Sequence, residues 1–174
     1  MTPQQLKNSI LQLAIQGKLV EQRSEEGTGE ELYQLIQAKK QELIKEGKIK
    51  KQKTMPEIAE DEMPFDIPEN WKWVRISDTA NMYTGNSIPV NVRTEKYSKV
   101  TVGYDYIATK DVGFDNIIQY DNGIKIPFDE EKFRVATKGS VLMCIEGGSA
   151  GRKIGLLDRD VCFGNKLCSF ASYL

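Results

Sequence analysis

Residues 54–70, TMPEIAEDEMPFDIPEN, divide the chain into two parts with different apolar patterns. The stretch holds Pro56, Pro64 and Pro68 together with six acidic residues and no basic one. Proline fixes φ and removes a backbone donor, so a segment of this composition stays extended and cannot form a helix interior or a central strand. Before it, apolar residues recur at helical spacing. From Trp71 onward they come in short runs broken by Gly, Asn and Asp. These patterns predict an α+β chain: a helical region over residues 1–53, a linker over 54–70 draped on a surface, and an irregular β-rich domain with some helix over 71–174.

The first part reads as a pair of helices. Over residues 3–22, Leu6, Ile10, Leu13 and Val20 share one face, and Leu11, Ile15 and Leu19 widen the stripe. Pro3 suits the first turn. Gly17 sits on the apolar face and permits close approach of another element. Thr28 to Glu31 spells the T-x-x-E capping box of a second helix, whose stripe is Leu32, Leu35, Ile36, Leu43 and Ile44, and Gly47 is its expected stop. The basic tail KIKKQK reads as a solvated end. Two helices joined by a short loop bury little by themselves. Leu6, Ile10, Leu13, Leu32, Leu35 and Ile36 are therefore candidate partner-binding positions, expected to pack on another helix, on the β-rich domain or on another chain.

In the second part the runs WKWVRI, YDYIAT, NIIQY, GIKIPF, SVLMCI, RKIGLL and KLCSFAS read as strands, and SDTANM as one helical turn capped by Ser77. The period-two spacing of Trp71 and Trp73 puts both on one strand face. FASYL ends in mid-pattern, so the β-rich domain is expected to be incomplete. The chain has 24 basic and 25 acidic residues, so its global charge does not point to nucleic acid. It has no histidine, which excludes Ser-His-Asp and Cys-His catalysis and His-ligated zinc. Cys144, Cys162 and Cys168 lack the C-x₂-C spacing and read as reduced, buried small hydrophobes. Asp129, Glu130, Glu131, Asp158 and Asp160 lie in turn-like contexts with no apolar pocket in view. No apolar run approaches the ~20 residues a membrane span needs, and no stretch reads as a secretory segment. The chain is expected to be cytoplasmic, without a membrane partner.

The stretch 144–155, CIEGGSAGRKIG, raises the question of phosphate. A P-loop needs G-x-x-x-x-G-K-[ST] and a following helix. Here Gly147 to Gly151 is one residue short, Ile154 stands where the hydroxyl belongs, and a β-prone run follows. The local reading is strand, glycine loop, strand. A plain hairpin turn and a close approach to a nucleic-acid backbone both remain open.

Three stretches carry a resemblance: LKNSILQLAIQGKLV, then ELYQLIQAKKQELIKEGKIKKQK, then PFDIPENWKWVRISDTANMYTG. They are similar to the N-terminal region of type I restriction–modification specificity subunits and the opening of their first target recognition domain. Tyr106-Ile107 with Asp111-Val112 echoes that family's "yI...DI", and Lys138 to Met143 with Gly148 to Lys153 echoes its "kGDiLl...G..GK". Ser140 stands where the family carries aspartate, and residues 1–174 are expected to lack the family's long helix after the recognition domain and its second recognition domain.

The resemblance implies a non-catalytic subunit that reads half of a bipartite sequence on double-stranded DNA. It implies methyltransferase subunits as partners, with restriction subunits joining through them. S-adenosylmethionine, ATP and magnesium would belong to those partners and no cofactor to this chain. Self-association of two copies would mimic a full subunit. The candidate DNA-binding residues are Gly148, Ser149, Arg152 and Lys153 of the glycine loop, with Tyr83, Thr84, Asn86, Ser87, Arg93, Lys96, Lys99, Lys110, Asn165 and Lys166 from other polar loops. Arg and Asn can fork onto guanine and adenine edges, whereas Lys more often holds phosphate. Two other readings stand beside this one: a protein-interaction module, or orphan half-subunit, that binds partners without reading DNA, and a carboxylate enzyme.

Overall fold

Thr2 and Gln5 close a reciprocal capping box at the start of α1 (Pro3–Ile15), with Thr2 N–H on Gln5 Oε1 at 2.8 Å and Gln5 N–H on Thr2 Oγ1 at 3.2 Å. This computed structural model describes residues 1–53 and 55–174; Thr54, the first residue of the expected linker, lies outside the described residues. The helix stops at Ile15 and does not run on to Gln22 as the periodicity predicts. Gly17 adopts φ +66°, and the Lys18 N–H turns back to Leu13 O at 2.8 Å. That left-handed stop leaves Leu19 and Val20 outside the helix. A Cβ at Gly17 would meet Pro68 Cγ at 2.5 Å, so the same glycine also permits the predicted close approach.

No α1 residue is buried: Leu6, Ile10 and Leu13 remain 43–50% exposed. Within its own unit, Met1–Thr79 with Tyr173–Leu174, no described element buries this stripe. In α2 (Gly29–Lys45) the predicted capping box is present, with Thr28 N–H on Glu31 Oε2 at 2.8 Å, and Gly47 ends the helix at φ +71°. Leu32 and Leu35 are exposed, whereas Ile36 is buried. Lys40 is buried too, because its ammonium donates to Ser77 O at 2.8 Å and lies over the Tyr173 ring. WKWVRI forms no strand; it leads into the short helix α3 (Ile76–Thr79). Trp71 Nε1 donates to Gln22 Oε1 at 2.7 Å, Trp73 packs on Phe65, and Arg75 forks onto Glu62 at 2.9 and 3.0 Å.

These elements belong to one compact unit, Met1–Thr79 with Tyr173–Leu174, and Ala80–Ser172 forms a second. Residues 71–79, assigned by sequence to the β-rich domain, lie with the first unit. The second unit contains two four-stranded sheets. One has the order β1 (Ala80–Thr84), β8 (Leu167–Ser172), β5 (Val141–Cys144), β6 (Ile154–Leu156), all antiparallel. The other has the order β3 (Lys125–Ile126), β2 (Tyr104–Ile107), β7 (Val161–Phe163), β4 (Val135–Ala136), with β2 and β7 parallel. The helix α4 (Val90–Glu95) follows β1.

One core gathers Ile107, Leu142, Val161, Phe163 and Leu167; a second gathers Tyr97, Tyr106, Ile126 and Phe133. NIIQY contributes only the isolated bridge Val112–Ile118. The three cysteines are free, and burial pushes the Cys162 thiol up to about 12. Among the described residues no helix is long and apolar enough to cross a membrane.

Candidate nucleic-acid interface

The chain leaves β5 through Ile145 and returns in β6 at Ile154, and backbone bonds shape everything between. Gly151 N–H donates to Cys144 O at 2.8 Å, and Cys144 N–H to Lys153 O at 2.9 Å. Gly147–Ser149 forms a 3₁₀ turn, closed by Ala150 N–H on Gly147 O at 3.1 Å. Gly147 and Gly151 have φ +74° and +67°, where glycine is needed to avoid strain. Gly148 is outside that region, and a Cβ there would meet nothing within 4 Å. The strand–loop–strand reading therefore holds, with no following helix to cradle a nucleotide phosphate.

Two further segments adjoin this loop. Lys153 Nζ donates to Thr109 O at 3.1 Å, which ties the loop to the turn Thr109–Asp111. Asp111 fixes that turn by accepting the Ala108 N–H at 2.9 Å, and Lys110 projects from it, exposed. On the other side, Ile145 N–H donates to Lys166 O at 3.0 Å, in the Gly164–Lys166 connection between β7 and β8. Lys166 lies 3.8 Å from the Glu146 carboxylate, and Asn165 is exposed beside it.

A residue outside the predicted set completes the group. Phe114 is 61% exposed, with the Arg152 guanidinium and the Lys153 ammonium each 5.1 Å from its ring centroid. It stands on a tight hairpin closed by the Val112–Ile118 bridge and by Gly113 N–H on Ile117 O at 2.8 Å. Asn116, at its tip, is the one non-glycine with positive φ among the described residues (φ 66°). The turn residues around it in G-F-D-N mark a loop but do not say whether its aromatic is displayed or buried.

The structure thus brings together Lys110, Gly148, Ser149, Arg152, Lys153, Asn165 and Lys166. Of the other candidates, Thr84 and Asn86 flank the Gly164–Lys166 connection, Thr84 opposite Cys168 and Asn86 N–H on Phe163 O at 2.8 Å, and most of the set have internal partners. Tyr83 packs on Phe163 and donates its hydroxyl to Val135 O at 2.9 Å. Thr84 O accepts from Arg134 at 2.9 Å. The Asn86 amide donates to Lys132 O at 3.1 Å and accepts the Arg134 N–H at 2.8 Å. Arg93 lies over the Tyr106 ring and donates to Ile88 O. Lys96 pairs with Glu130 at 2.8 Å. Hydrogen bonds from Lys96 and then Lys132 hold the Glu130 carboxyl down to about 2. Ser87 and Lys99 are exposed.

No group of three or more Cys, Asp or Glu side chains among the described residues could hold a metal. The architecture is helices followed by a two-sheet unit whose glycine, basic and aromatic loop residues meet on its surface. The chain is 33% identical over 150 residues to the type I restriction enzyme EcoAI specificity subunit of Escherichia coli, covering 79% of this chain and 26% of that protein. It is 48% identical over 81 residues to the EcoEI specificity subunit of the same organism, covering 46% and 14%. Among solved structures, the HsdS subunit from Thermoanaerobacter tengcongensis matches with a TM-score of 0.49 and 21% identity, over 63% of this chain and 25% of that one. No protein-family model matches. The chain belongs, over the part it shares with them, to the specificity subunits of type I restriction enzymes. It spans about a quarter of the first relative's length.

Proposed function

We propose that this chain reads DNA sequence as part of a type I specificity subunit, and that its glycine-loop surface is the contact. In this reading it performs no chemistry. It directs methyltransferase subunits, and through them restriction subunits, to one half of a bipartite target in the cytoplasm. S-adenosylmethionine, ATP and magnesium reside with those partners. The observation that carries the reading is Gly148. Neither its backbone angle nor its surroundings within the chain require glycine. It stands in a loop with Arg152 and Lys153 and next to Lys110. A duplex backbone lying against the loop supplies both a reason to exclude a side chain and a partner for the cations.

Binding would release counterions from the phosphates, so affinity should fall steeply with salt. The test is a titration of a mixed-sequence duplex with the full chain across salt concentration. Arg152→Ala and Lys153→Ala should weaken binding, and the magnitude of the log–log slope should drop by roughly 0.9 for each phosphate no longer neutralised. Gly148→Leu should weaken binding at unchanged melting temperature. Wild-type protein that shows no salt-dependent duplex affinity would overturn the reading. It would leave the alternative, an interaction module that binds partner subunits without reading DNA, which the exposed α1 stripe favours.

A further inference from the structure

We infer that Phe114 is a specificity-determining residue that meets the C5-methyl group of a thymine, next to the base pair reached by Arg152. The inference rests on the DNA-reading role proposed above. Phe114 is 61% exposed on the same surface as the cations of the glycine loop, and that position narrows what it could meet. The ring already has two cations over it, Arg152 and Lys153, each at 5.1 Å. Those cations compete with bases for the ring face, which disfavours stacking or wedging between base steps. Phe114 is 61% exposed even so, which leaves an edge contact as the remaining mode. In a duplex the apolar group that a ring edge can touch without unstacking bases is the thymine methyl in the major groove.

The support for the ring is equally specific. The 112–118 segment is a narrow turn closed by the single bridge Val112–Ile118, small enough for the major groove to admit. It is held by Gly113 N–H on Ile117 O at 2.8 Å and by Ile117 N–H on Asp115 Oδ1 at 3.2 Å. Asn116 at φ 66° adopts a conformation few residues tolerate, which fixes the direction of the tip. Ile117, in the same turn, is 54% exposed as well. Arg152, with its guanidinium over the ring, is held for a fork onto guanine O6 and N7. Ring and guanidinium then read adjacent base pairs together, while Lys153, bonded to Thr109 O, keeps the loop against the turn.

The test uses the full chain and a duplex selected by it from a randomised library. Each thymine of that duplex is then replaced by deoxyuridine, which removes only the methyl group. At one position the replacement should weaken wild-type binding about fourfold, the factor for one buried methylene-sized group. Phe114→Ala should bind the thymine duplex more weakly and be indifferent to the replacement, with an unchanged salt slope. Phe114→Tyr should restore the response. Arg152→Ala should lose preference at the neighbouring base pair yet still sense the methyl. Wild-type indifference to uracil at every thymine, or a Phe114→Ala variant that keeps the wild-type response, overturns the inference and leaves the DNA-reading role standing. Absence of salt-dependent duplex binding by the wild type overturns both.

Discussion

Both ends of the Asn86 side-chain amide are engaged with backbone, at Lys132 O and at the Arg134 N–H, and its own carbonyl accepts from Tyr106. A residue type suited to reading adenine is here a clamp between β1 and the segment before β4. Composition cannot separate these roles, because the same donor and acceptor pair serves either a base edge or a peptide. Glu130 is a second such case. It sat among turn carboxylates in the sequence, yet it holds Lys96 and Lys132, and they hold its carboxyl down to about 2 from an ordinary value near 4.5. Because the folded value is the lower one, the contribution of this group to stability is complete above the ordinary value and is lost as pH falls through about 2. Glu130→Gln should flatten the fall of melting temperature across that acid window and leave the neutral-pH fold intact. An unchanged acid profile would mean that the two ion pairs contribute nothing, as exposed pairs often do.

Two glycines end two helices in the same way but in different surroundings. Gly17 and Gly47 have φ +66° and +71°, yet a Cβ at Gly17 would strike Pro68 while one at Gly47 meets nothing. Gly47→Ala should cost about 1 kcal/mol, the strain of a left-handed alanine. Gly17→Ala should cost more, since Pro68 must also move. Urea unfolding of both variants checks this, and equal costs would show that the segment around Pro68 yields freely. The Gly47 stop and the Thr28–Glu31 box were readable in advance because capping is local chemistry, fixed by residues three or four apart. The early end of α1 was not, because an apolar stripe continued past Gly17 and periodicity alone carried the expectation onward. Strand assignment failed where burial came from pairing at a distance. VCF is too short a run to stand out, yet β7 is central because β2 and β4 flank it. WKWVRI has strand-like alternation and no strand: Trp73 packs on Phe65, Trp71 Nε1 donates to Gln22, and the Trp71 N–H turns back to Pro68 O at 2.9 Å. Of the candidate site, the glycine loop and its cations were legible, whereas Phe114 was not, because nothing local distinguishes a displayed aromatic from a buried one.

Across the whole molecule, the exposed stripe of α1 and the order of the strands set the remaining expectations. Leu13 is 43% exposed, so Leu13→Asp should leave the melting temperature almost unchanged, within about 0.5 kcal/mol of stability as for other surface changes. It should reduce co-purification with the methyltransferase subunits of a type I enzyme. A large fall in melting temperature would show instead that the stripe is covered within the chain. The strand order has a different consequence. The last two strands, β7 and β8, are each central in their sheets, and only Gly164, Asn165 and Lys166 separate them. A chain ending at Asp160 should therefore lose cooperative unfolding of the entire Ala80–Ser172 unit and not merely its final strands. On the ribosome, β1 through β6 emerge before either central partner exists. At roughly 5–20 residues per second, β1 waits several seconds for β8 with its pairing edge open. The nascent unit is thus a reservoir of unpaired edges during translation, and its safest route to the native state is one in which synthesis does not pause between residues 80 and 172.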